Sequence, residues 1–272
     1  MDRFADLLAG RDLSLLREFM VVGSIGIARL TAVFLITPFL GKGVLTGLAR
    51  NGVLVALALP ALVLVFNTRP TNLAELNLFA VLALVLKETL LGVMIGMPFA
   101  VLSWGIEGAG FMIDNQRGST MASSMDPATG NQSSPLGILL AQLYTVWMFA
   151  AGGFLLLLDL LYRSFTLWPV WDMLPQFNSG LVPETLAMLD RVMLLTLLIS
   201  GPALMAMFLS EMGLALTSRF APQLQVFFMA MPVKSAVGIF VLILSLGAIM
   251  HGLTQRLAEQ AGSLTLLRGW LQ

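Results

Sequence analysis

Cysteine is absent and histidine occurs once, and the two shortages together close off much of catalytic chemistry. Without cysteine there is no disulfide framework, no thiolate metal site and no cysteine nucleophile, and the redox compartment is not legible. With His251 alone there is no paired-histidine zinc motif, and neither a P-loop nor a G-x-S-x-G elbow occurs. Charge is also scarce: 11% of residues are Asp, Glu, Lys or Arg, where a soluble domain carries roughly a quarter. Fifteen basic and fifteen acidic residues cancel, and the basic ones are scattered, so no nucleic-acid partner is indicated. The expectation is a protein that is not an enzyme and holds no cofactor or metal.

What is abundant is apolar. Hydrophobic residues make up 58% of the chain and the mean hydropathy is +0.89. So few charges could not cover a fold of 272 residues in water, so lipid or partner subunits must cover part of it. The expected class is all-α, a multi-helix membrane-type protein. A span needs about 20 mostly apolar residues, and candidates lie at 19–40, 51–66, 79–102, 137–158, 189–210 and 233–250. The second is short and ends at Asn67-Thr68-Arg69-Pro70, and the first carries Arg29, so neither suits a lipid-facing position.

Residues 1–19 are not expected to form a cleavable leader, because Asp2, Arg3, Asp6, Arg11, Asp12, Arg17 and Glu18 interrupt every apolar run. Phe4, Leu7, Leu8, Leu15, Leu16 and Phe19 fall at helical spacing, which fits an amphipathic helix on a membrane or partner, or a solvated leader helix. Arg3, Arg11, Arg17, Arg69, Arg163, Arg191, Arg256 and Arg268, set against Lys42, Arg50, Arg117, Arg219 and Lys234, place both termini in the cytoplasm. No linker or internal repeat divides the chain, so 1–272 reads as one domain.

Lys87 and Glu88 stand mid-span in the third segment, where unpartnered charges cost several kcal/mol. Neighbouring helix positions point about 100° apart, so the two are not expected simply to pair with each other. They are either contacts to other helices or a wet lumen, or the coupling site of a secondary transporter for a small solute. His251 is expected at the end of an apolar helix, where a cation suits the dipole. Gly105, Gly108 and Gly110 follow a helical run rather than a strand and read as close-packing positions, not as a nucleotide cradle.

Two connections are long. That from Asp159 to Asp190, with Trp168, Pro169, Trp171, Pro175 and Pro183, reads as an interfacial loop. The other, at about 110–137, is polar, and structureless stretches of that length are usually functional or disordered. It contains Asp114, Asn115, Gln116, Arg117, Met121, Met125, Asp126, Pro127, Asn131 and Gln132. Asp126-Pro127 fits the start of a type I turn, and Ser134-Pro135 supplies an N-cap and a first helical residue. Amides, hydroxyls and adaptable methionines suit a movable stopper better than a reaction site; an exposed surface loop is the alternative.

The stretch from Glu211 to Lys234 contains Arg219-Phe220-Ala221-Pro222-Gln223, then Val226-Phe227 and Pro232-Val233-Lys234. Pro222 and Pro232 predict a helix, an irregular passage and a new helix beginning near Pro232. Lys234 would then lie in a first turn, where the dipole disfavours it, so it calls for an acidic partner, Glu211 or a group on another subunit. A snorkelling lysine is the alternative.

In these two stretches the sequence resembles the T component of the type III secretion export apparatus, the SctT family, whose flagellar relative is FliR. The motifs are Ile113-Asp114-Asn115-Gln116-Arg117-Gly118 with Asp126-Pro127 and Gly130, and Arg219-Phe220-Ala221-Pro222-Gln223 through Val226-Phe227 to Pro232-Val233-Lys234. The second is similar to a signature shared with the flagellar branch, and the first to the virulence-associated injectisome branch.

The resemblance implies a non-enzymatic export-gate subunit built of kinked helical hairpins, packed in a spiral with R and S subunits and contacted by the U component. It implies a bacterial inner-membrane location at the base of the secretion machine, parts being raised toward the periplasm. It also implies secreted unfolded proteins and membrane lipid as partners, and a role for the 110–137 loop in plugging the lumen. Arg29, Lys87, Glu88, Glu211, Arg219 and Lys234 are then expected as subunit contacts or buried charges.

Overall fold

A computed structural model describes residues 12–40, 47–70, 77–118, 134–172, 181–220 and 226–261. All its regular structure is helical among the described residues. The helices are α1 (Asp12–Ile36), α2 (Gly47–Asn67), α3 (Leu78–Arg117), α4 (Pro135–Ala150), α5 (Gly153–Leu167), α6 (Leu181–Phe220) and α7 (Val226–Ala261), with a short 3-10 turn at Pro38–Leu40. Five are long and apolar enough to cross a bilayer, or six spans if α4 and α5 count as one broken span. Prolines sit inside α2, α3, α6 and α7, at Pro60, Pro98, Pro202 and Pro232, each withholding one N–H from its helix ladder.

Several boundaries differ from the sequence expectation. The 137–158 span is two helices, because Gly152 takes φ 78° after Ala151 closes α4, the left-handed turn that ends helices cheaply at glycine. Residues 110–117 are not loop but the last two turns of α3. The expected 159–190 connection narrows to 168–180, since α5 runs to Leu167 and α6 begins at Leu181. The last helix starts at Val226, not near Pro232. The apolar run 226–231 extends it backwards, and one missing N–H in its second turn does not stop it. His251 consequently lies within α7 rather than at its end.

The chain divides into two compact units. The first takes 1–100, 154–182 and 263–272, hence α1, α2, the first part of α3 and nearly all of α5. Its core includes Ile25, Leu30, Phe34, Phe39, Leu40, Ala58, Ala61, Phe99, Leu157 and Leu161. Small residues let its backbones approach closely. A Cβ at Gly92 would overlap the Arg29 carbonyl oxygen, and one at Gly96 would lie 2.5 Å from Ile36 Cγ2. The Tyr162 hydroxyl donates to Leu57 O at 2.8 Å and the Trp171 indole to Val65 O at 3.3 Å, tying α2 to α5 and the turn beyond it.

The second unit takes 101–153 and 183–262, hence the rest of α3, α4, most of α6, and α7. Ile113, Leu136, Ala203, Met207 and Leu242 form its centre, flanked by Leu204, Val241 and Ile249. Gly105, Gly108 and Gly110 do serve close packing: a Cβ at Gly105 would stand 2.8 Å from Leu195 Cβ, and one at Gly108 3.0 Å from Thr196 Oγ1. Thr196 donates to the Gly105 carbonyl at 3.2 Å.

Candidate functional site

Arg29, Lys87 and Glu88 come together in the first unit, from α1 and α3. Arg29 and Glu88 are fully buried and Lys87 is 9% exposed. Arg29 Nε donates to Glu88 Oε2 at 2.7 Å and Nη2 to Oε1 at 3.0 Å, a forked pair. Lys87 Nζ lies 3.0 Å from Glu88 Oε1. The expectation that Lys87 and Glu88 do not pair is thereby corrected: the backbone directions diverge, but the lysine stem is long enough to bend its ammonium back to the carboxylate.

Two cations against one anion leave one positive charge to be met. It is met by the end of α5 and the turn after it, whose carbonyls have no helical partners. Arg29 donates to Trp168 O at 3.2 Å and to Ser164 Oγ at 2.8 Å, with its guanidinium over the Phe165 ring at 4.1 Å. Lys87 donates to Val170 O at 2.6 Å, Asp172 O at 2.9 Å and Pro169 O at 3.3 Å. The sequence reading missed Ser164 and the 168–172 carbonyls. The signal was the charge imbalance itself, which requires acceptors from somewhere, and the Trp-Pro-Val-Trp turn is the polar backbone nearest in the fold.

A second polar centre lies in the second unit where α3 ends and α4 begins. Asp114, fully buried, accepts from Ser134 Oγ at 2.6 Å and from the Leu136 backbone N–H at 2.8 Å through Oδ2. Its Oδ1 pairs with Arg117 Nη2 at 2.9 Å, one helical turn away. Ser134 is the N-cap expected from Ser134-Pro135: its Oγ accepts from Gly137 N at 2.9 Å, with Pro135 first in the helix. Beside it the backbones touch, for a Cβ at Gly110 would fall 2.5 Å from Gly137 Cα and N. Asn115 and Gln116 lie on the last turn of α3, and Gly118 ends it at φ 77°, its N–H on Asn115 O at 3.1 Å. Met121, Met125, Asp126, Pro127, Asn131 and Gln132 lie outside the described residues.

Glu211 of α6 and Lys234 of α7 form an ion pair at 2.7 Å, Lys234 lying eight residues after Val226 and so well inside α7 rather than in its first turn. The dipole therefore does not explain its need for an acid; a mostly covered side chain, 14% exposed, does. Arg219 sits exposed in the last turn of α6, where a cation suits the dipole. His251 is exposed, with Gln255 Nε2 3.2 Å from its Nε2. Among the described residues no group of His, Asp and Glu could hold a metal.

With this geometry in view, residues 20–260 match the family described as bacterial export proteins, family 1. The chain is 41% identical over 217 residues to Yop proteins translocation protein T of Yersinia pestis, covering 79% of this chain and 82% of that one. It is 32% identical over 250 residues to surface presentation of antigens protein SpaR of Salmonella typhimurium, covering 92% of each. It is 29% identical over 224 residues to flagellar biosynthetic protein FliR of Bacillus subtilis, covering 81% and 84%. An all-helical chain with five membrane-capable helices, matched to one family from residue 20 to residue 260, belongs to the bacterial export proteins, family 1, as a T component of the type III secretion export apparatus related to flagellar FliR.

Proposed function

We propose that this chain is a non-enzymatic structural and gating subunit of the type III export apparatus, which helps form and close the passage for unfolded secreted proteins. In this reading 1–272 acts as one export-gate domain, and the segment at about 110–137 closes the passage at rest. Opening displaces that segment, with energy supplied by other subunits. The observation that carries the proposal is the base of the segment: α3 ends at Arg117, α4 begins at Pro135, and Asp114 binds the N-cap Ser134 directly. A polar segment held at both ends by one buried carboxylate suits a stopper that must move without unravelling the helices that carry it.

Helix length and surface support a place in an assembly. Helices α3 and α6 have 40 residues and α7 has 36, so the longest reach about 60 Å at 1.5 Å per residue, about twice the hydrocarbon thickness. Large apolar side chains on them stand exposed, among them Leu194, Leu198, Met205 and Phe208 on α6 and Phe240, Ile243 and Leu244 on α7. We assign the cover beyond the bilayer to R and S subunits in a spiral, with the U component as a further contact. The location is the bacterial inner membrane at the base of the machine, parts of the chain being raised toward the periplasm. The names of the relatives, a translocation protein and a flagellar biosynthetic protein, agree with this.

The rival, a transporter coupling a small solute through Lys87 and Glu88, gains nothing from the geometry, since both side chains are engaged by partners within the same chain. Deleting residues within 119–133 with assembly intact tests the gating role. The expected result is a membrane leaky to ions and small molecules; a membrane as tight as before sinks the proposal.

A further inference from the structure

We propose that the groove between α6 and α7 holds one acyl chain of an anionic phospholipid, whose headgroup phosphate sits on Arg256. The proposal does not depend on the gating role above; it needs only the membrane location. Glu211 pairs with Lys234, and a Cβ at Gly238 would fall 2.7 Å from Met207 Sδ, so the two helices run antiparallel within the second unit. The groove runs between them, with Leu195 toward the Arg256 end and Pro202 toward Ser245. Leu195, Ile199 and Leu253 are buried and form its floor, and Leu198 stands 56% exposed at its rim.

The groove has the dimensions of a single hydrocarbon chain. From Ser245 to Arg256 are eleven steps of α7, about 16 Å at 1.5 Å per residue, and half the hydrocarbon thickness of a bilayer is about 15 Å. Its volume is about 200 Å³ over that length, a slot too narrow for a helix roughly 10 Å across. Ala248 and Gly252 keep the slot open, and a Cβ at Gly252 would meet nothing within 4 Å. Ser245, whose hydroxyl lines the inner end, already donates to Leu242 O at 2.9 Å, so that end calls for nothing polar.

Arg256 supplies the headgroup contact. It lies two residues before the end of the apolar stretch Met229–Ala258, at the level where hydrocarbon gives way to headgroups. It is half-buried and has no hydrogen bond or ion pair among the described residues. A guanidinium offers parallel N–H donors that match a pair of phosphate oxygens. An anionic headgroup is favoured over a zwitterionic one, whose own cation is repelled by Arg256.

The test places the whole export complex in phosphatidylethanolamine vesicles carrying a trace of phosphatidylglycerol with a photoreactive acyl chain, or of phosphatidylcholine with the same chain. After illumination, peptide mass spectrometry locates the lipid adducts. The expected result is several-fold more labelling of 195–202 and 245–253 by the phosphatidylglycerol probe, with equal labelling by both probes on the exposed face at Phe240, Ile243 and Leu244. Equal labelling of the groove by the two probes overturns the inference. So does the absence of adducts there, which means that a neighbouring protein chain fills the groove instead.

Two variants divide the headgroup contact from the slot. Arg256→Gln is expected to reduce phosphatidylglycerol labelling to the phosphatidylcholine level, while Arg256→Lys keeps part of the excess. Gly252→Leu fills the slot with the charge in place and is expected to abolish groove labelling by both probes. An undiminished phosphatidylglycerol excess in Arg256→Gln, or unchanged groove labelling in Gly252→Leu, overturns the inference. If either variant fails to assemble, the comparison of the two probes on the unaltered chain still decides.

Discussion

Arg29 and Glu88, 59 residues apart in sequence, meet through two parallel hydrogen bonds of 2.7 and 3.0 Å with no exposed surface on either side chain. The pair joins α1 to α3, and the carbonyls after α5 complete it, so one charged cluster joins three helices of the first unit.

Removing Glu88 leaves two covered cations without their anion, which typically costs about 3–5 kcal/mol, whereas removing Arg29 leaves Glu88 still paired with Lys87. Glu88→Gln is therefore expected to lower the detergent melting temperature sharply and to reduce the amount of chain recovered in the export complex, and Arg29→Leu to do so less. Arg29→Leu combined with Glu88→Leu is expected to cost much less than the sum of the two. Full stability and secretion in Glu88→Gln would show that the cluster is dispensable.

Lys87 holds the turn at 169–172 through three of its backbone carbonyls. In Lys87→Met the stem still packs, but the Val170 and Asp172 carbonyls lose this donor while Pro169 O keeps the Asp172 N–H, at about 1–3 kcal/mol for a buried group left unsatisfied. Amide hydrogen exchange should show faster exchange confined to this turn and the end of α5. Unchanged exchange there would mean that solvent already satisfies these carbonyls.

Glycines divide into those that can and those that cannot accept a side chain. Gly137→Ala would place a Cβ 2.8 Å from Ser134 Oγ and 3.1 Å from the Glu107 carbonyl oxygen, and Gly110→Ala would strike the Gly137 backbone. Both are expected to keep α3 and α4 from packing at this close approach and to lower chain recovery. Gly213→Ala, inside α6 with nothing within 4 Å, is expected to be neutral or to stabilise by up to about 1 kcal/mol through helix propensity. Thermal melts of the three variants side by side check the ranking.

Glu211 and Lys234 join α6 to α7 at partial exposure, 45% and 14%. For a pair this open the expected cost of Glu211→Gln is small, about 0–1 kcal/mol. Glu211→Lys sets two cations together and should cost more, and exchanging the two residues should recover part of the loss. A double-mutant cycle on melting temperature measures the coupling; zero coupling would reduce Lys234 to a snorkelling lysine.

Short-range chemistry made much of this legible from the sequence. Apolar runs identify the helices, because a backbone in an apolar medium must satisfy its own hydrogen bonds. Ser134-Pro135 marks the start of α4, because an N-cap needs only its next three residues. Arg29, Lys87 and Glu88 stand out as charges in apolar spans, so their need for partners is plain. The identity of those partners is not, since Ser164 and Trp168 lie 135 and 139 residues from Arg29 and no local pattern links them.

Helix ends were misjudged where composition and packing disagree. Asp114 to Arg117 look like loop, yet they remain helical because α4 and its cap lie against them; 226–231 join α7 although a proline follows. What the sequence determined by itself is which segments are helices and which groups are costly to bury. Only the tertiary structure decided where those groups go, because a buried charge is stabilised by whichever donors and acceptors the packing brings within about 3 Å, wherever in the chain they originate.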